Sequence, residues 1–322
     1  MKCIFNYNKQ EIISLATEKG FRNETLEKVL RLIDVLKFLN TTDEISSYLV
    51  LKGGTAINLT IFELPRLSVD IDLDFSFNGS KDEMINKRKE ITAILKRYME
   101  INNYMFNDET KNRYALDSFV FSYINNFGNK DNLKIEINYM NRSHIYDPII
   151  KDISLSFLNS FKILTLNRYE LYGSKIKALL ERCTIRDVYD VYHMIKENIF
   201  NNNEYGLIKK CIIFYMAIGK TTERTFQEVI NDFGKRISIF EKDKIPQYLS
   251  ATLRKDEKFS MKEAVLTVKS FINDIMNLSE NEIKFLYEFD NGSYCPELLF
   301  SEKDVINRII KHPMALWKTT NK

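Results

Sequence analysis

Asp70, Asp72 and Asp74 alternate with Ile71, Leu73 and Phe75 across residues 69–77. Successive side chains of a strand point to opposite faces, so the carboxylates fall on one face and the apolar groups on the other. Two carboxylates at i and i+2 lie close enough to share a divalent cation, and such oxygen donors suit Mg2+. Upstream stands Gly53-Gly54. Neither residue carries a Cβ, so backbone N–H groups at the start of a helix can approach a phosphate. A cation seat beside a phosphate cradle points to nucleotide chemistry.

For these groups to meet, one strand must feed the glycine turn and another must carry the aspartates. Residues 48–51 form a short apolar run that stops just before the glycines. Thr55 is placed to cap a short helix that reaches Phe62, and Pro65 ends it. Residues 116–124 and 133–140 also alternate, and the loop 125–129 between them makes a hairpin. On the second of these strands Glu136 faces away from Ile135 and Ile137. A carboxylate on a central strand is costly to bury unless it is paired or binds metal. Residues 162–166 offer another short strand.

The remaining elements read as helices. Residues 11–40 carry two apolar clusters split by Gly20, and Asn78-Gly79-Ser80 is a turn before an amphipathic helix over 81–102. From residue 169 onward the pattern is helical: 169–182, 184–193, 205–219, 223–235, 262–277 and 280–288. Asn201-Asn202-Asn203 marks a loop and the end of a catalytic core. Lys220-Thr221-Thr222 and residues 242–246 are breaks.

The glycine turn followed by Asp-x-Asp resembles the nucleotidyltransferase superfamily, with residues 55–69 forming a slightly long spacer. The fuller pattern, Lys52-Gly53-Gly54-Thr55-Ala56 with Leu64-Pro65-Arg66-x-Ser68-x-Asp70-x-Asp72, resembles the AbiEii/AbiGii toxin family of abortive-infection and toxin–antitoxin loci. A second segment is similar to the same family: Lys175-x-x-Ala178-x-x-x-Arg182, a short turn, then Arg186-Asp187-x-x-Asp190. So are Glu297-Leu298-Leu299-Phe300 and residues 312–318 near the end. The resemblance implies catalytic roles for Asp70, Asp72, Lys175, Asp187 and Asp190. It implies Mg2+ held by Asp70 and Asp72, with Glu136 as a third acid on a later strand. Glu136 equally fits a solvent-facing side chain beside Lys134. Gly53, Gly54, Thr55, Arg66, Ser68, Lys175 and Arg182 form the expected nucleotide-binding set.

Other roles are open for the second segment. Lys175, Ala178 and Arg182 share one helix face. Thr184 and Asp187 fit a capping box at a helix N-terminus, where the dipole favours an anion. Arg182 and Asp190 could pair across the helical hairpin. His144, His193 and His312 stand alone and read as structural. Trp317 and Met314 read as docking the tail onto the body.

The chain has 322 residues, 44% hydrophobic and 28% charged, with a net charge of +3. That is the composition of a globular protein with one large domain or two. The flat charge confines any nucleic-acid surface to a local patch. Cys3, Cys183, Cys211 and Cys295 are scattered without paired spacing, which points to reduced thiols in a cytoplasm. We find no signal peptide pattern and no membrane span.

These observations predict an α+β fold: a nucleotidyltransferase-like mixed sheet flanked by helices over residues 1–165, then a helical domain over 166–322 that contributes to the active-site cleft. The expected activity is Mg2+-dependent transfer of a nucleotide from a nucleoside triphosphate to an acceptor. By the resemblance the acceptor is RNA, such as a tRNA 3′ end, the outcome is growth arrest or abortive infection, and a cognate antitoxin is encoded nearby. A nucleotide-binding regulatory protein that transfers nothing, or a transferase that modifies protein, are the alternatives.

Overall fold

The computed structural model describes residues 5–77, 79–219, 225–241 and 245–321. Cys3, Asn78, the break at Lys220-Thr221-Thr222 and residues 242–244 of the later break lie outside the described residues. The chain forms two compact units. The first comprises Met1–Arg142, Pro148–Leu166 and Ser250–Glu257; the second comprises Ser143–Asp147, Asn167–Leu249 and Lys258–Lys322.

The first unit opens with α1 (Lys9–Lys19), α2 (Asn23–Thr41) and the short α3 (Asp43–Ser46). β1 (Leu49–Lys52) leads into α4 (Gly53–Thr60), and β2 (Asp70–Phe75) follows. Then come α5 (Lys81–Ile101), β3 (Met105–Phe106), β4 (Lys111–Asn112), β5 (Leu116–Ile124), β6 (Lys130–Asn138), β7 (Ile149–Ile153) and β8 (Phe161–Thr165). One mixed sheet runs β3-β5-β6-β2-β1-β8-β7, with β4 also paired to β5. β2 sits at its centre, antiparallel to β1 and parallel to β6.

The alternation in the sequence sets this sheet. Ile71, Leu73, Phe75, Ile135 and Ile137 are all buried to within 1% exposure, whereas Asp70, Asp72 and Glu136 are half-buried. Burying each such aliphatic or aromatic side chain contributes roughly 1.5–3 kcal/mol. α1 and α2 fall where their apolar periods place them, and Gly20 separates them in the left-handed region at φ +74°, closing α1. Ser80 and Glu83 form the capping box that starts α5. α2 and α5 meet through stacked Phe38 and Tyr98, ring centres 3.8 Å apart.

Two local expectations change. Thr55 is not the cap of the helix after the glycine turn: the helix starts at Gly53, with Lys52 at the cap position. The Thr55 hydroxyl instead donates to the backbone carbonyl of Asp70. It therefore ties α4 to the strand that carries the aspartates. The segment Ser250–Glu257 also joins this first unit, far from it in sequence. Leu67 N–H donates to Thr252 O at 2.8 Å, and Arg254 donates to the carbonyls of Glu63 and Leu64. These bonds brace the loop that leads into β2.

The second unit is helical: α6 (Arg168–Arg182), α7 (Ile185–Lys196), α8 (Asn202–Gly219), α9 (Phe226–Ser238), α10 (Gln247–Ser250), α11 (Met261–Ile275), α12 (Glu280–Asp290), α13 (Lys303–Ile309) and α14 (Pro313–Thr320). α8 begins inside the asparagine run, not after it. The Asn201 side chain accepts from the N–H groups of Asn203 and Glu204, so the run is a helix start. α8 buries Cys211, Ile212, Ile213 and Phe214 completely. In the tail, Ala315 and His312 are buried and Met314 packs on the same cluster, but Trp317 is 55% exposed and does not dock. Cys183, Cys211 and Cys295 are free thiols. Among the described residues no helix is long and apolar enough to cross a membrane.

Candidate active site

β1 ends at Lys52, and the backbone turns at Gly53 with φ +71°. Only glycine takes that conformation without strain. The turn also lies directly against Asp72: a Cβ on Gly53 would stand 2.5 Å from Asp72 Oδ2. Lys52 makes no side-chain cap hydrogen bond at the start of α4. First-turn N–H groups at such a helix start favour anions. Asn58 Nδ2 donates to Gly54 O at 2.7 Å and holds the turn from within the helix.

The strands set a row of charged groups across one sheet face. Lys52 is the register partner of Asp72, Asp72 of Glu136, and Glu136 of Ser118. Asp70 lies beside Lys134 in the next row. Lys134 pairs with Glu136 at 2.7 Å, and the Ser118 hydroxyl donates to Glu136 at 3.0 Å. Burial alone would raise the Glu136 pKa. Lys134 and Ser118 outweigh it and hold the carboxyl below its ordinary value. Burial tends to lower the Lys134 pKa, but Glu136, Asp70 and Asp72 raise it overall. The ion pair of the solvent-facing reading of Glu136 is therefore present, and so is the placement next to Asp72.

Asp74 differs from its neighbours. It is 1% exposed and pairs with Lys52 at 2.5 Å. It braces the strand from inside. Asp70 and Asp72 keep partial exposure on the same face.

Among the described residues no group of three or more His, Cys, Asp or Glu side chains converges as a ready metal cage. Mg2+ does not need one: it is commonly held by one or two carboxylates together with substrate phosphates and water. Asp70 and Asp72, with Gly53 against the second carboxylate, fit that mode.

The family pattern predicts Arg66 and Ser68 at the triphosphate. Arg66 is 3% exposed, and its guanidinium donates to Leu67 O at 3.1 Å. Its backbone bridges to Leu253. The cation is thus built into the braced loop. Ser68 lines a small cavity with Thr55 and Asn58 beneath α4.

The second unit gathers Lys175, Arg182, Asp187 and Asp190. Lys175, 6% exposed, pairs with Asp187 at 3.1 Å and with Asp190 at 2.9 Å. Arg182 donates twice to Asp187, at 2.7 and 2.8 Å. Thr184 stands at the cap position of α7 but makes no side-chain cap; its hydroxyl donates to Asp187 Oδ2 at 2.7 Å. Burial works to raise the Asp187 pKa, yet Arg182 and Lys175 hold it well below the usual carboxylate range. Tyr172, pushed up by burial and then by Asp190, leaves its buried hydroxyl without a hydrogen-bond partner among the described residues.

One buried group of this unit is not signalled by any motif. Glu170, fully buried on α6, accepts from the N–H groups of Ile145 (2.9 Å) and Tyr146 (3.1 Å) and from the Tyr215 hydroxyl. It fastens Ser143–Asp147 into the helical unit. Burial raises its pKa, and His144 opposes the rise. The sequence carries no trace of this: Ser174, Lys177 and Glu181 share its helix face and read as solvated.

A mixed sheet with two carboxylates on its central strand, facing a glycine turn at a helix start, defines a nucleotidyltransferase. The family model described as nucleotidyl transferase AbiEii toxin, type IV TA system, matches residues 37–268, and the chain belongs to that family. Among solved structures it is similar to MenT4, a nucleotidyltransferase toxin from Mycobacterium tuberculosis H37Rv. Identity is 13% and the TM-score 0.60, over 95% of this chain and 99% of that one, so the likeness is one of fold. A CdnC–HORMA complex from E. coli MS115-1 aligns over 96% of this chain and 97% of that chain at 13% identity, with a TM-score of 0.27. No curated protein sequence matches the chain. Membership of a toxin–antitoxin family implies a cognate antitoxin.

Proposed function

We propose that this toxin transfers a nucleotide from a nucleoside triphosphate to an RNA acceptor, the hydroxyl of a tRNA 3′ end, and thereby arrests growth of its own cell or of a phage-infected one. The cytoplasm is where such an acceptor is met. The observation that carries this reading is the contact between Gly53 and the Asp72 carboxylate, with Asp70 beside it on the same face. This closeness supports a reading in which one small ligand meets both the glycine turn and the two carboxylates.

Asp70 and Asp72 would hold Mg2+, with Glu136 next in register as a further donor once it leaves Lys134. When bound, the ion neutralises phosphate charge and favours ionisation of the acceptor hydroxyl. The N–H groups at Gly53 and Gly54 receive the triphosphate tail. The acceptor oxygen forms a bond to the α-phosphorus, the bond from that phosphorus to the bridging oxygen breaks, and pyrophosphate leaves. The hydroxyl proton passes to water. No protein nucleophile is needed, so catalysis rests on positioning and charge. The second family motif supports a contribution of Lys175, Asp187 and Asp190 to transfer.

The test is incubation of the protein with labelled nucleoside triphosphates, Mg2+ and total RNA. Label should enter RNA, depend on Mg2+, and vanish in Asp72→Asn. Label in protein with none in RNA would replace this reading with modification of a protein. No label in either would overturn it.

A further inference from the structure

The row Lys52, Asp72, Glu136, Ser118 does not stop at β5. Lys111 on β4 is the register partner of Ser118. The face that carries the carboxylates therefore ends in a lysine at the far edge. Over this part of the sheet lies a cavity of about 570 Å³. Glu136 and Ser118 line it, and Lys28, Lys111, Arg113 and Lys134 bring four cations to it. Among the described residues of the lining, Glu109 is the one further acid.

The four cations are not equivalent. Lys134 is taken by Glu136 and Lys28 by Asp131, at 2.7 and 3.1 Å. Lys111 and Arg113 are exposed, and their side chains make no ion pair or hydrogen bond with any described residue. Unneutralised cations in a groove that opens beside carboxylates call for an anion larger than one the carboxylates themselves would repel.

The sheet order says which anion. From β2 the glycine turn lies toward β1, while the cavity lies the other way, over β6, β5 and β4. Neighbouring strands are about 4.8 Å apart, so Lys111 is roughly 14 Å from the Asp72 strand. A triphosphate seated at Gly53 does not span both. We propose that this groove binds the phosphate backbone of the polynucleotide acceptor, with Lys111 and Arg113 as its phosphate contacts, and leads the acceptor's end to Asp70 and Asp72. This rests on the transfer reaction proposed above.

The experiment compares the wild type, the double variant Lys111→Ala/Arg113→Ala, and the control Lys151→Ala/Lys162→Ala. The control removes equal charge from exposed positions on β7 and β8, at the other end of the sheet. Binding of a fluorescent single-stranded RNA of about 12 nucleotides is measured against salt concentration, without nucleotide. Two lost phosphate contacts should flatten the slope of log affinity against log salt by about 1.4 and weaken binding roughly ten-fold or more at 0.1 M salt. The control should follow the wild type. In transfer assays the KM for acceptor should rise and that for the nucleoside triphosphate should stay.

An unchanged slope in the double variant overturns the groove assignment, even if transfer is intact. A rise in the nucleotide KM alone would give the groove to the triphosphate and overturn it too. So would a loss confined to binding of an acidic polypeptide such as polyglutamate. If the wild type transfers to no acceptor, the reaction above fails, while the salt slope still decides whether the groove holds RNA.

Discussion

Gly53 and Asp72 are packed as one unit: a methyl group added to the glycine would lie 2.5 Å from the aspartate's Oδ2 and 3.2 Å from its Cγ. The backbone there is also at φ +71°. Gly53→Ala therefore meets two penalties. The left-handed conformation costs about 1–2 kcal/mol for an L-residue, and the methyl pushes the carboxylate from its place. We expect a modest drop in Tm and a much larger drop in transfer. The pair of measurements is needed, because a large fall in Tm with transfer per folded molecule unchanged would mean that the turn serves only the fold.

The three aspartates of β2 should separate by experiment. Asp70→Asn and Asp72→Asn change partly exposed groups and should leave Tm close to the wild type. Transfer should fall on the order of 100-fold or more, since charge aimed at the reacting phosphate is lost. Asp74→Ala does the reverse. It strips a buried partner from Lys52, and breaking such a pair costs about 3 kcal/mol. Equal effects on Tm from all three variants would contradict the division.

That division was only half legible in the sequence. Alternation placed the three carboxylates on one face, because strand side chains have a period of two. It could not say that Asp74 is sealed by Lys52, since that depends on β1 crossing antiparallel at that register. Arg66 shows the same limit. Its motif suggested a phosphate ligand, yet the segment around Leu253, nearly two hundred positions later, folds over the loop and encloses it. Thr55 and Thr184 were each at the right place to cap a helix. Neither helix start has a side-chain cap; each hydroxyl donates instead, to the Asp70 carbonyl and the Asp187 carboxylate. β7 escaped notice because an edge strand need not bury alternate residues: Ile150 is 67% exposed.

Lys175 serves two buried carboxylates, so its removal strips a cation from both, although Asp187 keeps Arg182. Lys175→Met should cost about 3–5 kcal/mol. Loss of transfer in that variant alone would be ambiguous. Lys175→Met/Asp190→Asn removes one charge of each sign and leaves Asp187 paired to Arg182. We expect it to regain much of the lost stability but none of the transfer. Recovered transfer would confine Lys175 to the fold. Asp187 adds a pH signature. Its pKa is depressed in the folded state, so its contribution is present above the ordinary carboxylate range and fades as pH falls through it. The stability gap between wild type and Asp187→Asn should be full at pH 7 and shrink below about pH 4.

Asp34 on α2 carries the opposite sign. It is 6% exposed, and its Oδ2 is buried with no hydrogen-bond partner among the described residues. Burial pushes its pKa up to about 6, and Lys37 and Arg31 only partly offset that. The folded state thus holds this proton more tightly than the unfolded chain does. Below about pH 4 both states are protonated and Asp34 costs nothing. As pH rises through 6 the folded protein must ionise a buried carboxyl, and stability is lost. A shift of this size corresponds to about 3 kcal/mol. Asp34→Asn should therefore be the more stable protein at pH 7–8, by about 1–3 kcal/mol once the buried amide's own desolvation is allowed for. Its advantage should vanish near pH 4. Urea unfolding of both proteins from pH 4 to 8 tests this, and parallel stability curves would show that the carboxyl is solvated or paired after all.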